Sequence, residues 1–231
     1  MTEETAVATR LRKKEIGGLS RLILNIVLVA FTVLTISPLV WLAYSSFKTT
    51  QEFQVNRLGL PHLWTSINYP IAWRIGNFGI LFINSLIYTI GSTLAIIFLS
   101  LAASFAFAKI KSKATPILHG SFVIGILLSL QSLMIPLYLM AKTVGLTDTR
   151  IGVLIPYVGL GLPIGIYLCT EYIKSIPDAI VESARIDGAS YYRIFSLIVA
   201  PMTRPVVMTV AILNAAGIWN EFMLINIIRS E

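Results

Sequence analysis

Long apolar runs alternate along this chain with short polar segments, and five of the runs are long enough for a helix to cross a membrane. They extend from Leu22 to Phe47, Ile80 to Ala108, Pro116 to Met140, Ile151 to Tyr172 and Pro205 to Ile228. A hydrocarbon core about 30 Å thick takes roughly 20 apolar residues in a helix. Where water is absent, every backbone N–H and C=O must find its partner within the protein. The pattern therefore predicts an all-α integral membrane protein, a polytopic helical bundle of five spans. A tail of residues 1–21 precedes a membrane domain, residues 22–231, and one long polar segment, 174–204, separates the last two runs.

Composition agrees with the pattern. Of the 231 residues 56% are hydrophobic and 13% charged, against about 25% charged in an ordinary soluble domain. A single anchor on a polar domain is excluded, because the apolar blocks recur along the whole chain. The formal net charge of +7 would in a soluble protein raise nucleic-acid binding. Here the basic residues fall in short clusters between apolar blocks, where membrane topology puts them, and nucleic acid is not an expected partner.

Twelve of the 18 Lys and Arg residues lie on one side if the N-terminus is cytoplasmic. These are Arg10, Arg12, Lys13, Lys14, Arg21, Lys109, Lys111, Lys113, Lys174, Arg185, Arg193 and Arg204. The other six, Lys48, Arg57, Arg74, Lys142, Arg150 and Arg229, fall outside. Short loops rich in Lys and Arg stay in the cytoplasm, so the N-terminus is expected inside. The first apolar run is too long for a signal-peptide core and no cleavage site follows it, so it is expected to be retained.

On that topology residues 48–79 are external, and Trp64, Tyr69 and Trp73 suit the headgroup level. Gly161 and Gly165 form a small-xxx-small pair that lets helices approach closely. Pro136, Pro156 and Pro163 interrupt helical bonding within spans. The lone cysteine, Cys169, permits no internal disulfide. His62 and His119 have no zinc-like spacing, and no metal site is expected.

The polar segment carries the clearest local signals. Ser175 and Asp178 resemble a capping box around Pro177, which predicts a helix start with Asp178 at the positive end of the dipole. Gly188 is placed to end that helix in a left-handed turn. Ala179, Ile180, Ser183, Ala184 and Ile186 share a small-sided face, while Glu182, Arg185 and Asp187 are polar. A second amphipathic stretch, Tyr191 to Val199, leads to Pro201. By periodicity alone the pair fits either a helix docking into a partner's groove or one lying on the membrane.

Spacing separates the two. Glu182, Ser183 and Ala184, then Gly188, Ile198 and Pro201, resemble the cytoplasmic signature of permeases in ATP-driven importers, the EAA loop of the ABC class. Ser183 stands where that pattern usually has Ala, and Ala200 where it has Leu. The resemblance narrows to carbohydrate permeases, especially the second permease subunit of the maltose-transporter type. It rests on Asn84-Ser85-Leu86, Ile135-Pro136-Leu137-Tyr138, Gly145-Leu146, the run Ala184 to Ser190, and Trp219-Asn220-Glu221-Phe222.

The resemblance implies a multi-pass subunit of the cytoplasmic (inner) membrane that is not an enzyme. Its partners would be a second permease subunit, two ATP-binding subunits and an extracytoplasmic solute-binding protein. No Gly-Lys pair of a phosphate-cradling loop occurs in the chain, so ATP would be bound by the partners and this chain would carry no cofactor. Glu182, Ser183, Ala184, Asp187, Gly188, Ile198 and Pro201 would form the ATPase-coupling loop. Such permeases normally have six spans, which makes a chain ending at Glu231 one span short, as a truncated fragment would be.

Polar residues within spans are costly, so Gln131, Asn214, Trp219, Asn220 and Glu221 are candidates for a pathway or gate. Interhelical hydrogen bonding is the commoner use of such polar residues, and an interfacial anchor explains Trp219 equally well. Permeases for amino acids, peptides or phosphate share the loop signature and are the alternative solute classes. An intramembrane enzyme would need convergent nucleophiles or ligands at one depth, and no such cluster is visible.

Overall fold

The computed structural model describes residues 18–110 and 112–229. The basic residues Arg10, Arg12, Lys13, Lys14 and Lys111 lie outside the described residues, as does most of the expected tail. The described residues are helical and contain no β-strand. The chain divides into two compact units, residues 1–78 and 79–231.

In the first unit α1, Gly18–Ser45, begins four residues before the predicted span. Its 28 residues reach about 42 Å at 1.5 Å per residue, enough to cross a bilayer. The segment after it is folded around the Lys48 side chain, which is buried and donates to the carbonyl oxygen of Asn56 at 2.6 Å. The Asn68 amide holds the carbonyls of Ser46 and Lys48 at 2.8 and 2.7 Å. Short helices α2, Thr50–Val55, and α3, Asn68–Ile75, complete this cap. Trp64, Tyr69 and Trp73 are exposed on it, as aromatics at a headgroup layer would be.

The second unit is built on α4, Phe78–Lys109, and α7, Arg150–Lys174. One face of α4 repeats every four residues through Tyr88, Ser92, Ile96, Ser100 and Ser104, all at most 2% exposed. Small hydroxyl residues at that spacing let α7 approach closely. Gly161 and Gly165 supply the matching surface. A Cβ at Gly161 would overlap Ile96 Cδ1 and Asn214 Oδ1, and one at Gly165 would overlap Ser100 Oγ. Ser104 Oγ also donates to the Ile166 carbonyl at 3.0 Å.

The third apolar run is not one straight helix. It divides into α5, Thr115–Gly125, and α6, Leu130–Thr143, bent by 105°. Ser129 makes the break: its backbone is extended and its hydroxyl accepts the Ser132 N–H, capping a new helix. Hydropathy misses this because the turn itself, Ile126-Leu127-Leu128, is apolar.

After α7 come α8, Asp178–Ile186, and α9, Tyr191–Met202, followed at a 73° bend by α10, Arg204–Asn220. The last predicted span also divides, because Glu221 is extended and α11, Met223–Ile228, starts anew. Among the described residues three helices, α1, α4 and α7, are individually long and apolar enough to cross a membrane, and the number is up to five if each bent pair is one span.

Candidate functional site

Two buried clusters sit toward opposite ends of α4 and α7. Phe105 on α4 and Ile173 on α7 belong to one, Tyr88 and Val153 to the other. Seventeen helical residues separate Tyr88 from Phe105, about 26 Å along the axis.

At the Phe105 end the polar segment folds back on the helix termini. Ile176, Val181, Ala184, Ile194 and Val199 close over Phe105 and Ile173. The capping expectation is corrected in detail. Ser175 Oγ turns back to the Tyr172 carbonyl at 2.7 Å, finishing α7, while Pro177 is the N-cap of α8 and gives no side-chain cap bond. Asp178 is indeed in the first turn, and its carboxylate is bound by Lys109 at 2.6 Å.

Helix α8 ends as the glycine requires. Gly188 has φ +79°, its N–H bonds to the Arg185 carbonyl, and the Ala189 N–H bonds to the Ala184 carbonyl, both at 3.0 Å. This is the six-to-one, five-to-two pair of a Schellman turn, with Ala184 and Ala189 meeting in the cluster. The turn aims α9 back along the same cluster. Arg185 stacks 5.1 Å from the Tyr191 ring, which tilts edge-on to Phe105.

Helix α9 contains one π turn, Phe195–Val199, in which the Ala200 N–H reaches the Phe195 carbonyl. In a regular helix Ile194 and Val199 would point about 140° apart. The π turn lets both be fully buried in the cluster.

The predicted loop residues therefore separate into two sets. Glu182, Ser183, Asp187 and Pro201 are exposed, whereas Ala184 is buried and Ile198 half-buried against the cluster. The inward stripe is Ile180, Val181 and Ala184. Ala179, Ser183 and Ile186, expected on the same apolar stripe, face out beside Glu182, with Ile186 86% exposed. Glu182 has no ion-pair partner among the described residues. Sequence reasoning missed Val181, Phe105 and the pairing role of Lys109, which counted only as a topology charge.

The predicted pathway residues do not form one group. Gln131 is exposed in the first turn of α6. Asn214 is buried, donates to the Val210 carbonyl at 2.9 Å, and presents its oxygen to Gly161. Trp219 meets Phe82 edge-on at 5.8 Å, and Asn220 donates within its own helix to Ala216. Glu221 is the most engaged: it accepts the Tyr157 hydroxyl at 2.7 Å and the Leu224 N–H at 2.8 Å. Near it the Arg229 guanidinium donates to the Tyr88 hydroxyl at 2.8 Å.

Residues 96–230 match the family model described as "Binding-protein-dependent transport system inner membrane component". The chain is 31% identical over 197 residues to the diacetylchitobiose uptake system permease protein NgcG of Streptomyces coelicolor, covering 85% of this chain and 65% of that protein. It is 33% identical over 203 residues to the probable starch degradation products transport system permease protein AmyC of Thermoanaerobacterium thermosulfurigenes, covering 88% and 74%. The multiple sugar-binding transport system permease protein MsmG of Streptococcus mutans is 34% identical over 197 residues, covering 83% and 70%. The chain thus spans about two thirds to three quarters of the length of these relatives.

Proposed function

This chain belongs to the family of binding-protein-dependent transport system inner membrane components, and on that premise we propose that it is a membrane-spanning permease subunit of a carbohydrate importer. ATP hydrolysis on two partner subunits drives it, a second permease subunit completes the pathway, and an extracytoplasmic solute-binding protein delivers the sugar. The sugar-system names of the relatives support the solute class over amino acids, peptides or phosphate.

The observation that carries the mechanism is the α8–Gly188–α9 element. Its inner face is fixed to α4 and α7 through the Phe105 cluster, while Glu182, Ser183 and Ile186 face outward. A nine-residue helix is too short to persist in water alone. Held rigidly, it presents a low-relief surface with the Glu182 carboxylate on it, suited to a groove on a cytoplasmic ATPase. Closure of the ATPase pair would displace α8, and the shared cluster would carry that displacement into α4 and α7. Glu182, Ser183, Asp187, Gly188 and Pro201 act at the docking surface and its turn, and Ala184 and Ile198 fix it to the bundle. The N-terminus and residues 174–204 are cytoplasmic in this account.

The test is deletion of the coding region in the native host, followed by uptake of radiolabelled malto-, cello- and chito-oligosaccharides. Loss of uptake of at least one, restored by the intact gene, is expected. Unchanged uptake of all three, with loss of an amino acid, peptide or phosphate instead, would replace the proposed solute class.

A further inference from the structure

Lys109 is the last residue of α4, yet its side chain is only 3% exposed. Its ammonium group lies 2.6 Å from the Ile176 carbonyl oxygen and 2.6 Å from Asp178 Oδ1. These acceptors bracket Pro177, the elbow at which α7 has ended and α8 begins. An ammonium is buried only where it is paired and hydrogen-bonded. A long basic side chain at the end of a span would otherwise extend toward the water. Lys109 instead folds inward onto the elbow.

Along the chain, α8 connects directly to α7 and not to α4. Phe105 and Ala108 of α4 also join the cluster that holds Val181 and Ala184 of α8, an apolar packing that resists sliding weakly. Charge-assisted bonds are shorter, stronger and directional. Two of them at one nitrogen fix the elbow to the end of α4 as well as to α7.

We infer that Lys109 is a positioning residue that ties the coupling helix α8 to α4, so that a displacement of α8 moves α4 and α7 as one body. The inference rests on the transport function proposed above. It gives a use to a buried cation that topology alone would leave in solvent, and it assigns Asp178 to the same link. From there the Ser100 and Ile96 contacts with Gly165 and Gly161 continue the rigid path into the membrane.

The test uses the complete transporter, purified through a tag on its ATP-hydrolysing subunit and reconstituted in liposomes. The probe is its solute-binding protein equilibrated with a mixture of malto- and chito-oligosaccharides. Recovery of the permease, basal ATP hydrolysis and stimulation by the binding protein are measured for Lys109→Gln, Lys109→Arg and Asp178→Asn. Lys109→Gln should be recovered with the ATPase and keep basal hydrolysis. Its stimulation should fall at least about fivefold, the low end of typical coupling between sites, and Lys109→Arg should restore at least half of it. Wild-type stimulation in Lys109→Gln would overturn the inference and leave the transport function standing. No stimulation of the wild-type complex would overturn the carbohydrate-import function proposed above. Should Lys109→Gln fail to assemble, Asp178→Asn decides, because that side chain is 71% exposed and Asn keeps an oxygen that can accept from Lys109 while removing the charge that strengthens the bond. Normal recovery with lowered stimulation supports the link, and wild-type stimulation or joint loss of assembly overturns it.

Discussion

Tyr157, buried on α7, donates its hydroxyl to Glu221 at 2.7 Å, at the point where α10 stops and α11 begins. The second carboxylate oxygen accepts the Leu224 N–H at 2.8 Å and so caps α11. One side chain both ends a helical stretch and fastens the break to its neighbour. That arrangement satisfies a polar group that would be costly next to lipid.

Removing Glu221 leaves the Tyr157 hydroxyl and the Leu224 N–H without their acceptor. Glu221→Ala should lower stability by about 1 to 3 kcal/mol, read as a lower melting temperature in detergent. Tyr157→Phe should cost less, because Glu221 keeps its bond to Leu224. Equal melting of both variants and the wild type would show that the pair contributes nothing.

The glycines of α7 give a prediction with an internal control. Gly161→Ala and Gly165→Ala drive a methyl into Ile96 and Ser100, and overpacking of this kind costs about 1 to 3 kcal/mol. Gly159→Ala meets nothing within 4 Å and should raise stability by about 0.5 to 1 kcal/mol. Ser100→Gly should recover much of the loss in Gly165→Ala, since Ser100 supplies the clashing atoms. Thermal unfolding of the set in one detergent checks the order.

Gly188 separates backbone strain from crowding. Its φ is +79° and a Cβ there meets open space, so the cost of a side chain is conformational, about 1 to 2 kcal/mol. Gly188→Val should let the permease assemble with its ATPase but lower binding-protein stimulation of hydrolysis, because α9 is re-aimed. Gly188→Asn, which tolerates the left-handed region, should fall between Val and the wild type. Full stimulation in Gly188→Val would remove the turn from the mechanism.

The proposed topology rests on the distribution of Lys and Arg. In a Cys169→Ala background, Trp64→Cys should react with an impermeant maleimide in intact cells and Arg185→Cys should not. Cys169 is itself 1% exposed, so its replacement should not change the pattern. Labelling at position 185 with protection at 64 would invert the orientation.

What the sequence made legible was set locally. Gly188 terminates its helix with a positive φ of 79°, as its placement predicts, and the Gly161–Gly165 spacing marks a true close approach. Elements decided by distant residues were not legible. The phase of α8 depends on where Phe105 arrives, so Val181 turned inward while Ala179, Ser183 and Ile186 faced out. Ser175 had two acceptable bonds, and the end of α7 took it. The break at Ser129 lies beside the apolar turn Ile126-Leu127-Leu128, where hydropathy has no contrast, and at Glu221 the polar pair Asn220-Glu221 was read as a pathway or gate candidate and not as a helix end. The partners of the pathway candidates were not legible either: Asn214 answers Gly161 on another helix, and Glu221 answers Tyr157.

The central claim is that the exposed face of α8 receives the ATPase, with Glu182 as its charged contact. Removing one member of a desolvated interfacial charge pair typically costs about 2 kcal/mol or more, roughly 30-fold in affinity. The direct measurement is the dissociation constant of the purified ATP-hydrolysing subunit for permease complexes in nanodiscs, wild type against Glu182→Ala, at fixed salt. The expected result is weakening of about 30-fold or more, with the melting temperature of the permease unchanged because Glu182 is exposed and has no ion-pair partner among the described residues. Equal affinity for the two proteins would contradict it.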